Sequence, residues 1–459
     1  MDGEAHRRQM ADVTWQRRTC IALVILVAAL FETSIGFGLE RKPNFVVILA
    51  DDLGYGDIRP FGGWIDTPNL EKMARQGLCL SDFHSNGAVC SPTRAALMTG
   101  RYQQRADIAH VVTVKLRHHG LQPHETTFAR LFQKAGYRTG IFGKWHLGYH
   151  VKYNPIRHGF DEFRGYLSGN VDFFSHVDQA GTYDWWKQDE LVKEPGYTTH
   201  LITKHAVDFI RRHRDVPFCL YVPHEAPHYP YQGPHDQAER SVGGTFRSHG
   251  SRPDKRTAYE EMVVAMDQGI GEILAVLTEL ELDHETFVFF CSDNGATNLG
   301  SNGPLRGLKG TLWEGGHRVP AIAWWPGRIQ SGSSDQLTMG FDLMPTLLSL
   351  AGIASSVERS IDGVDLSPLL LRGDELEDRQ VFWQHENQQA MRDGNWKLMR
   401  ILQEGDVTSR LFDLSSDVAE ANDVASQHHD RVVVMQKRLD SWFTEVTRDA
   451  AQQPLATSN

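Results

Sequence analysis

Phe45-Val46-Val47-Ile48-Leu49-Ala50-Asp51-Asp52 is an unbroken apolar run that stops at two adjacent carboxylates. A strand with one wet face alternates apolar and polar residues. A strand that is apolar throughout is covered on both faces, as in a parallel sheet between helix layers. Segments on either side keep to that scheme. Thr67-Pro68 opens a helix, with Thr as cap and Pro in the first turn, and Gly77 stops it. Ser91-Pro92 opens another that Gly100 ends, and Thr126 to Ala135 is a third, closed by Gly136. Thr139-Gly140-Ile141-Phe142, Phe218-Cys219-Leu220-Tyr221-Val222 and Phe287-Val288-Phe289-Phe290-Cys291 read as further buried strands, with a long amphipathic helix over 258–280. This alternation predicts an α/β fold: a mostly parallel central sheet sandwiched by helices.

Two stretches depart from the pattern. Residues 229–257 are rich in Gly, Ser, Pro, His and Arg and read as a long surface insertion. Beyond about residue 350 the alternation fades into short strand-like pieces such as Trp396-Lys397-Leu398-Met399, with a terminal amphipathic helix near 430–445. We therefore expect a main domain over 41–350 and a smaller C-terminal α+β subdomain over 351–450. The chain has 459 residues, 41% hydrophobic and 23% charged, with a net charge of −11. That is globular composition, and the acidic balance argues against a nucleic-acid partner. No apolar run reaches the roughly 18 residues of a membrane span. Arg17 and Arg18 precede an apolar stretch from Cys20 to Phe31, and Ser34-Ile35-Gly36-Phe37-Gly38 follows. Residues 1–38 thus read as a signal peptide for export to a periplasm, an endomembrane lumen or the medium. A buried helix and an uncleaved anchor are the alternatives. Cys219 and Cys291 sit in strand-like runs and read as buried thiols, and no zinc spacing occurs.

In open α/β sheets, ligands bind beyond the carboxyl ends of the strands. Those ends deliver Asp51 and Asp52, then Ser292-Asp293-Asn294-Gly295, then Lys144 and His146, then His224 and His228. Three carboxylates and an amide suit a hard cation such as Ca²⁺ or Mg²⁺. Nearby Lys and His suit an anion bound to that cation. Each element alone also reads as a strand end, a turn or a solvated side chain; the joint pattern carries the weight. Cys90 precedes the helix opened by Ser91-Pro92, with Arg94 on its first turn. A helix N-terminus and a guanidinium fork together favour an anion there.

These residues resemble a known family. Ala88-Val89-Cys90-Ser91-Pro92-Thr93-Arg94-Ala95-Ala96-Leu97-Met98-Thr99-Gly100 is similar to the first sulfatase signature. Gly136-Tyr137-Arg138-Thr139-Gly140-Ile141-Phe142-Gly143-Lys144-Trp145-His146 is similar to the second. The likeness continues through Asp51-Asp52, His228-Tyr229-Pro230, Ser292-Asp293-Asn294-Gly295 and Gly310-Thr311-Leu312-Trp313-Glu314-Gly315-Gly316, over residues 43 to 440 or so. It is to type I, formylglycine-dependent sulfatases of the alkaline phosphatase superfamily, arylsulfatases and N-acetylgalactosamine-6-sulfatase among them.

The resemblance implies an alkaline phosphatase-like fold whose main domain releases sulfate from a sulfated small molecule or glycan. It implies that Cys90, in Cys-x-Pro-x-Arg, is oxidised to Cα-formylglycine by a formylglycine-generating or anaerobic sulfatase-maturing enzyme. One hydroxyl of the hydrated aldehyde would attack sulfur. By the same resemblance Asp51, Asp52, Asp293 and Asn294, with the modified Cys90, hold one divalent cation per subunit, Ca²⁺ in preference to Mg²⁺. Arg94, Lys144 and Lys309 would balance charge on the sulfuryl group, and His228 and Lys309 would serve the leaving group. His146 would act as base on the second hydroxyl, releasing sulfate. The substrate histidine is assigned to His228 from its His-x-Pro context, with His224 as second choice. Ser168 matches a family serine near the sulfate. Tyr183-Asp184-Trp185-Trp186 could stack on sugar rings or simply pack a loop. The competing functions are a phosphate or phosphonate ester hydrolase on the same scaffold, and a non-catalytic sulfoglycan-binding protein that keeps the Cys90 thiol.

Overall fold

The computed structural model describes residues 41–354, 360–403 and 405–451. The expected signal peptide lies outside these. The described residues from Pro43 onward form one compact unit. In chain order its first strands are β1 (Asn44–Ala50), β2 (Leu78–Leu80), β3 (Phe83–His84), β4 (Arg138–Lys144), β5 (Glu162–Tyr166), β6 (Trp186–Lys187), β7 (Glu190–Leu191) and β8 (Phe218–Pro223). Then come β9 (Thr286–Ser292), β10 (Ala321–Trp324), β11 (Gly332–Ser334), β12 (Thr338–Met339), β13 (Gln380–His385), β14 (Gln388–Asp393), β15 (Trp396–Gln403) and β16 (Asp406–Asp413). The longer helices are α1 (Pro68–Gln76), α2 (Cys90–Thr99), α3 (Phe128–Lys134), α4 (Thr198–Arg212), α5 (Lys255–Glu279), α6 (Leu343–Leu350) and α7 (His429–Ala451).

The main sheet has ten strands in the order β11-β2-β10-β9-β1-β8-β4-β5-β6-β7. Its centre, β9 through β5, is parallel, and antiparallel pairs appear toward both edges. β1 lies mid-sheet, and its side chains divide between two cores. Phe45, Val47 and Leu49 enter one core with Met98 of α2, Phe128 of α3 and Leu347 of α6. Val46, Ile48 and Ala50 enter the other with Met73 of α1, Phe209 of α4 and Met262 of α5. Two covered faces explain the unbroken apolar run from Phe45 to Ala50 in this strand. Each such large side chain contributes about 1.5–3 kcal/mol when fully buried.

C-terminal to α6, β13–β16 form an antiparallel four-stranded sheet. Met435, Leu439, Trp442 and Val446 of α7 join its core, in steps of four, three and four residues. That spacing is a helical stripe. The core also takes in Ala96 of α2 and Leu312, so this sheet packs onto the main layer beside the helix that begins at Cys90.

Several local expectations need correction. Thr67 does not cap α1 through its side chain; its hydroxyl instead accepts the Arg59 N–H at 3.1 Å. Thr127 does cap α3, accepting from the Arg130 N–H at 3.2 Å. The stretch over 229–257 is irregular as far as Asp254, but Tyr231, Gln232 and Arg240 are buried within it. Trp185 is no platform for a ligand: it is fully buried and stacked on His176 at 4.5 Å.

Candidate active site

The parallel strands converge on one end, as topology requires, and their first loop residues form a charged floor. β1 delivers Asp51 and Asp52, β4 ends at Lys144, and β9 leads to Asp293 and Asn294. Cys90 is the first residue of α2, so its side chain stands at the positive end of that helix. Its Sγ lies 3.5 Å from Asp51 Oδ1 and 3.4 Å from Lys309 Nζ. The residue is 2% exposed. Burial pushes the Cys90 thiol up to about 12, although Lys144 and Lys309 draw it down.

The floor pairs its charges. The Arg94 guanidinium donates to Asp293 Oδ2 through Nη2 at 2.8 Å and through Nε at 3.2 Å, and to the Lys144 carbonyl at 3.2 Å. Lys144 Nζ donates to Asp51 Oδ2. Lys309 Nζ donates to Asp52 Oδ1 at 2.5 Å. Burial alone would raise the Asp52 carboxyl, but the Lys309 ammonium overcomes it and holds it at about 2. Asp293 goes the other way, raised to about 6 by burial and then by Asp51. Two buried oxygens, Asp52 Oδ2 and Asn294 Oδ1, have no hydrogen-bond partner. Asn294 spends its amide N–H groups on Asp52 Oδ1 at 2.8 Å and on the Gly295 carbonyl at 3.1 Å. Ligand atoms of Asp51, Asp52, Cys90 and His228 all lie within 4.8 Å of one another. An unpartnered buried oxygen is costly unless something positive meets it. The oxygen donors of the same floor, the Asp51, Asp52 and Asp293 carboxylates and the Asn294 amide, are of the kind a hard divalent cation takes.

Two histidines overlook the floor. His146 has a positive φ of 54°, which turns its ring so that Nε2 donates to the Val112 carbonyl at 3.0 Å. Its Nδ1 is buried and unpartnered. Burial first, then Lys144 and Arg94, lower its pKa well below the usual range, so the ring is neutral with a free lone pair. His228 donates from Nδ1 to the Tyr229 carbonyl at 2.7 Å, which leaves Nε2 as the acceptor, 3.8 Å from Asp52 Oδ2. Burial, with Lys309 and Lys144, keeps it neutral too.

Above the floor is a cavity of about 290 Å³, reached by Cys90, His146, His228 and Lys309. Ser168 and His224 do not reach it. The Ser168 hydroxyl turns back to donate to the Asn170 carbonyl at 3.1 Å. His224 is fully buried with both ring nitrogens unpartnered, and burial lowers it to about 3. Residues that sequence reasoning missed complete the wall: Val112, Tyr149, Asn170, Asp178 and Gln179. They lie in irregular loops with no periodicity to mark them. Gly169 belongs here for a steric reason, because a Cβ on it would sit 2.7 Å from His146 Nε2.

A buried Cys90 at a helix N-terminus, a floor of paired charges and two neutral imidazoles facing one pocket outline a hydrolase for an anionic ester. Comparison with known proteins makes the class specific. A family model described as Sulfatase matches residues 43–353, and one described as N-sulphoglucosamine sulphohydrolase, C-terminal, matches residues 308–447. The chain belongs to the sulfatase family. N-acetylgalactosamine-6-sulfatase of Mus musculus is 38% identical, over 76% of this chain and 70% of the relative. Arylsulfatase A of Homo sapiens is 34% identical, over 74% and 70%. The crystal structure of Ps i-CgsB in complex with k-i-k-neocarrahexaose superposes with a TM-score of 0.80 at 28% identity, covering 90% of this chain and 94% of that one. The protein is thus an enzyme that hydrolyses sulfate esters, which sets aside the binding-protein reading.

Proposed function

We propose that this enzyme removes sulfate from a sulfated glycan, using formylglycine made from Cys90 and a divalent cation, Ca²⁺, held by Asp51, Asp52, Asp293 and Asn294. The observation that carries this reading is the pair of unpartnered buried oxygens, Asp52 Oδ2 and Asn294 Oδ1, in the same charged floor as Cys90. The cation, when bound, supplies charge that stabilises a sulfuryl oxygen and acidifies an oxygen nucleophile. Three floor carboxylates already face three cationic side chains, Arg94, Lys144 and Lys309. Adding a divalent ion leaves a net positive floor, which suits a sulfate monoester.

The chain's own groups take the remaining roles. The N-terminus of α2 aims its dipole at the anion held beside residue 90. Lys144 and Lys309 follow negative charge as it shifts from the sulfuryl oxygens to the leaving oxygen. His228 is the substrate histidine, since its Nε2 faces the floor while His224 stays behind the cavity. His146 is the base that removes the proton needed for release, because Val112 fixes its tautomer and leaves Nδ1 free. A glycan substrate is favoured by the names of relatives and neighbours that act on or hold sugars. Export, and maturation of Cys90 by a separate enzyme, belong to the same reading.

Peptide mass spectrometry around Cys90, run beside sulfate release from defined sulfated saccharides and 4-nitrophenyl sulfate, tests it. We expect oxygen in place of the Cys90 sulfur and no turnover by Cys90→Ala. Full turnover with the thiol intact refutes the nucleophile. Full turnover after removal of divalent ions refutes the cation.

A further inference from the structure

A second cavity, of about 270 Å³, adjoins the catalytic one and shares Tyr149 and Asp178 with it. Tyr183, Trp186 and Leu191 add apolar surface to its wall. The two rings are held before any ligand arrives. Trp186 Nε1 donates to Asp184 Oδ1 at 2.5 Å, and the Tyr183 hydroxyl donates to the Val192 carbonyl at 2.8 Å. Asp184 does more than hold Trp186. Its two oxygens also accept the Leu167 N–H at 3.2 Å and the Ser168 N–H at 2.8 Å. The residues that come next, Gly169 and Asn170, wall the catalytic cavity. One buried carboxylate therefore ties the wall of the first compartment to an aromatic ring of the second. A fixed aromatic ring with polar neighbours is the surface that takes the apolar face of a pyranose while its hydroxyls find acceptors.

We propose that this compartment binds the sugar ring next to the sulfated one, so that the enzyme reads at least two linked rings of its substrate. The inference rests on the glycan reading above. A substrate of one ring fills only the catalytic cavity, whereas a longer one gains the Trp186 contact across the Tyr149–Asp178 divide.

The test uses enzyme with Cys90 conversion verified. The probes are 6-sulfated N-acetylgalactosamine, 6-sulfated N-acetylglucosamine and 4-sulfated galactose, each free and as the terminal unit of a disaccharide, with 4-nitrophenyl sulfate as control. For whichever sugar is cleaved, kcat/KM is expected to favour the disaccharide about five- to tenfold, the range of one aromatic contact. Trp186→Ala brings that ratio close to one, and Trp186→Phe, which keeps a ring, retains most of it. Equal kcat/KM for the two lengths in the unaltered enzyme overturns the subsite, whether or not Trp186→Ala folds. So does a ratio that survives Trp186→Ala. Turnover of 4-nitrophenyl sulfate with no saccharide cleaved at either length refutes the glycan reading, and the subsite with it.

Discussion

Gly169 has no side chain, yet it governs one. With a Cβ only 2.7 Å from His146 Nε2, the imidazole has to move and its bond to the Val112 carbonyl is lost. Gly169→Ala is therefore expected to cut kcat by about 10²-fold, the scale of displacing the general base proposed at His146, while a thermal melt moves little. A melt that collapses together with activity would assign the glycine to folding instead. The charged floor and Cys90 were readable because each residue sits at the end of an element: Asp51, Asp52, Lys144 and Asp293 fall where a buried strand stops, and Cys90 opens a helix. Ser168 entered only through the family resemblance, and His224 as second choice to His228. Nothing in a linear pattern tells which way a hydroxyl turns, or that His228 reaches the cavity and His224 four residues earlier does not. Tyr149, Asn170 and Asp178 went unread because wall loops carry no periodic signal.

Lys309 is held in place by an element far along the chain. The loop after it is fastened by β14, where Gln388 Oε1 accepts the Leu312 N–H at 3.1 Å and Gln388 Nε2 lies 3.5 Å from the Gly310 carbonyl. From the main layer, the Ala296 and Ala88 carbonyls accept the Lys309 and Gly310 N–H groups at 3.0 and 2.9 Å. Gln388→Ala removes the strand's share. We expect kcat to fall about fivefold, equivalent to one net hydrogen bond, with KM nearly constant, in steady-state assays. An unchanged kcat would show that the main-layer bonds suffice. Among elements, the helices and buried strands of the main layer were legible from periodicity and from Gly and Pro boundaries. β13–β16 appeared only as fragments, because an antiparallel sheet with a partly wet face leaves short, interrupted signals.

On the scale of the whole molecule, the C-terminal sheet is riveted to the main layer by a buried ion cluster. Lys397 of β15 is fully buried between Glu314 at 3.0 Å and Glu420 at 2.8 Å. Glu314 also lies 3.5 Å from the Arg392 guanidinium. Lys397→Met leaves the buried Glu420 without its cation and Glu314 with Arg392 and Arg318 alone, a change that costs about 3–5 kcal/mol, and urea unfolding should show the midpoint drop. A midpoint within error of the parent would mean the cluster is incidental.

Acid should also weaken the fold. His158 is buried against Trp145, and burial first, then Arg130, lowers it to about 3. The unfolded chain takes up that proton below about pH 6.5, whereas the folded chain does not until the pH nears 3. Stability from this site is complete above 6.5 and is lost as pH falls, at up to about 1.4 kcal/mol per pH unit. His158→Leu should flatten that slope in melts taken between pH 7 and pH 4; an unaltered slope would place the acid sensitivity elsewhere. No helix among the described residues is long and apolar enough to cross a membrane.

β1 sends alternate side chains into two separate cores, so the carboxylates at its tip are gripped from above and below. The pocket walls at 111–114 and 178–180 hang from connecting loops instead. Inheritance can then treat the two parts unequally. Descendants of such a chain are free to exchange one sulfate ester for another by redrafting the rim, while the floor passes down unaltered.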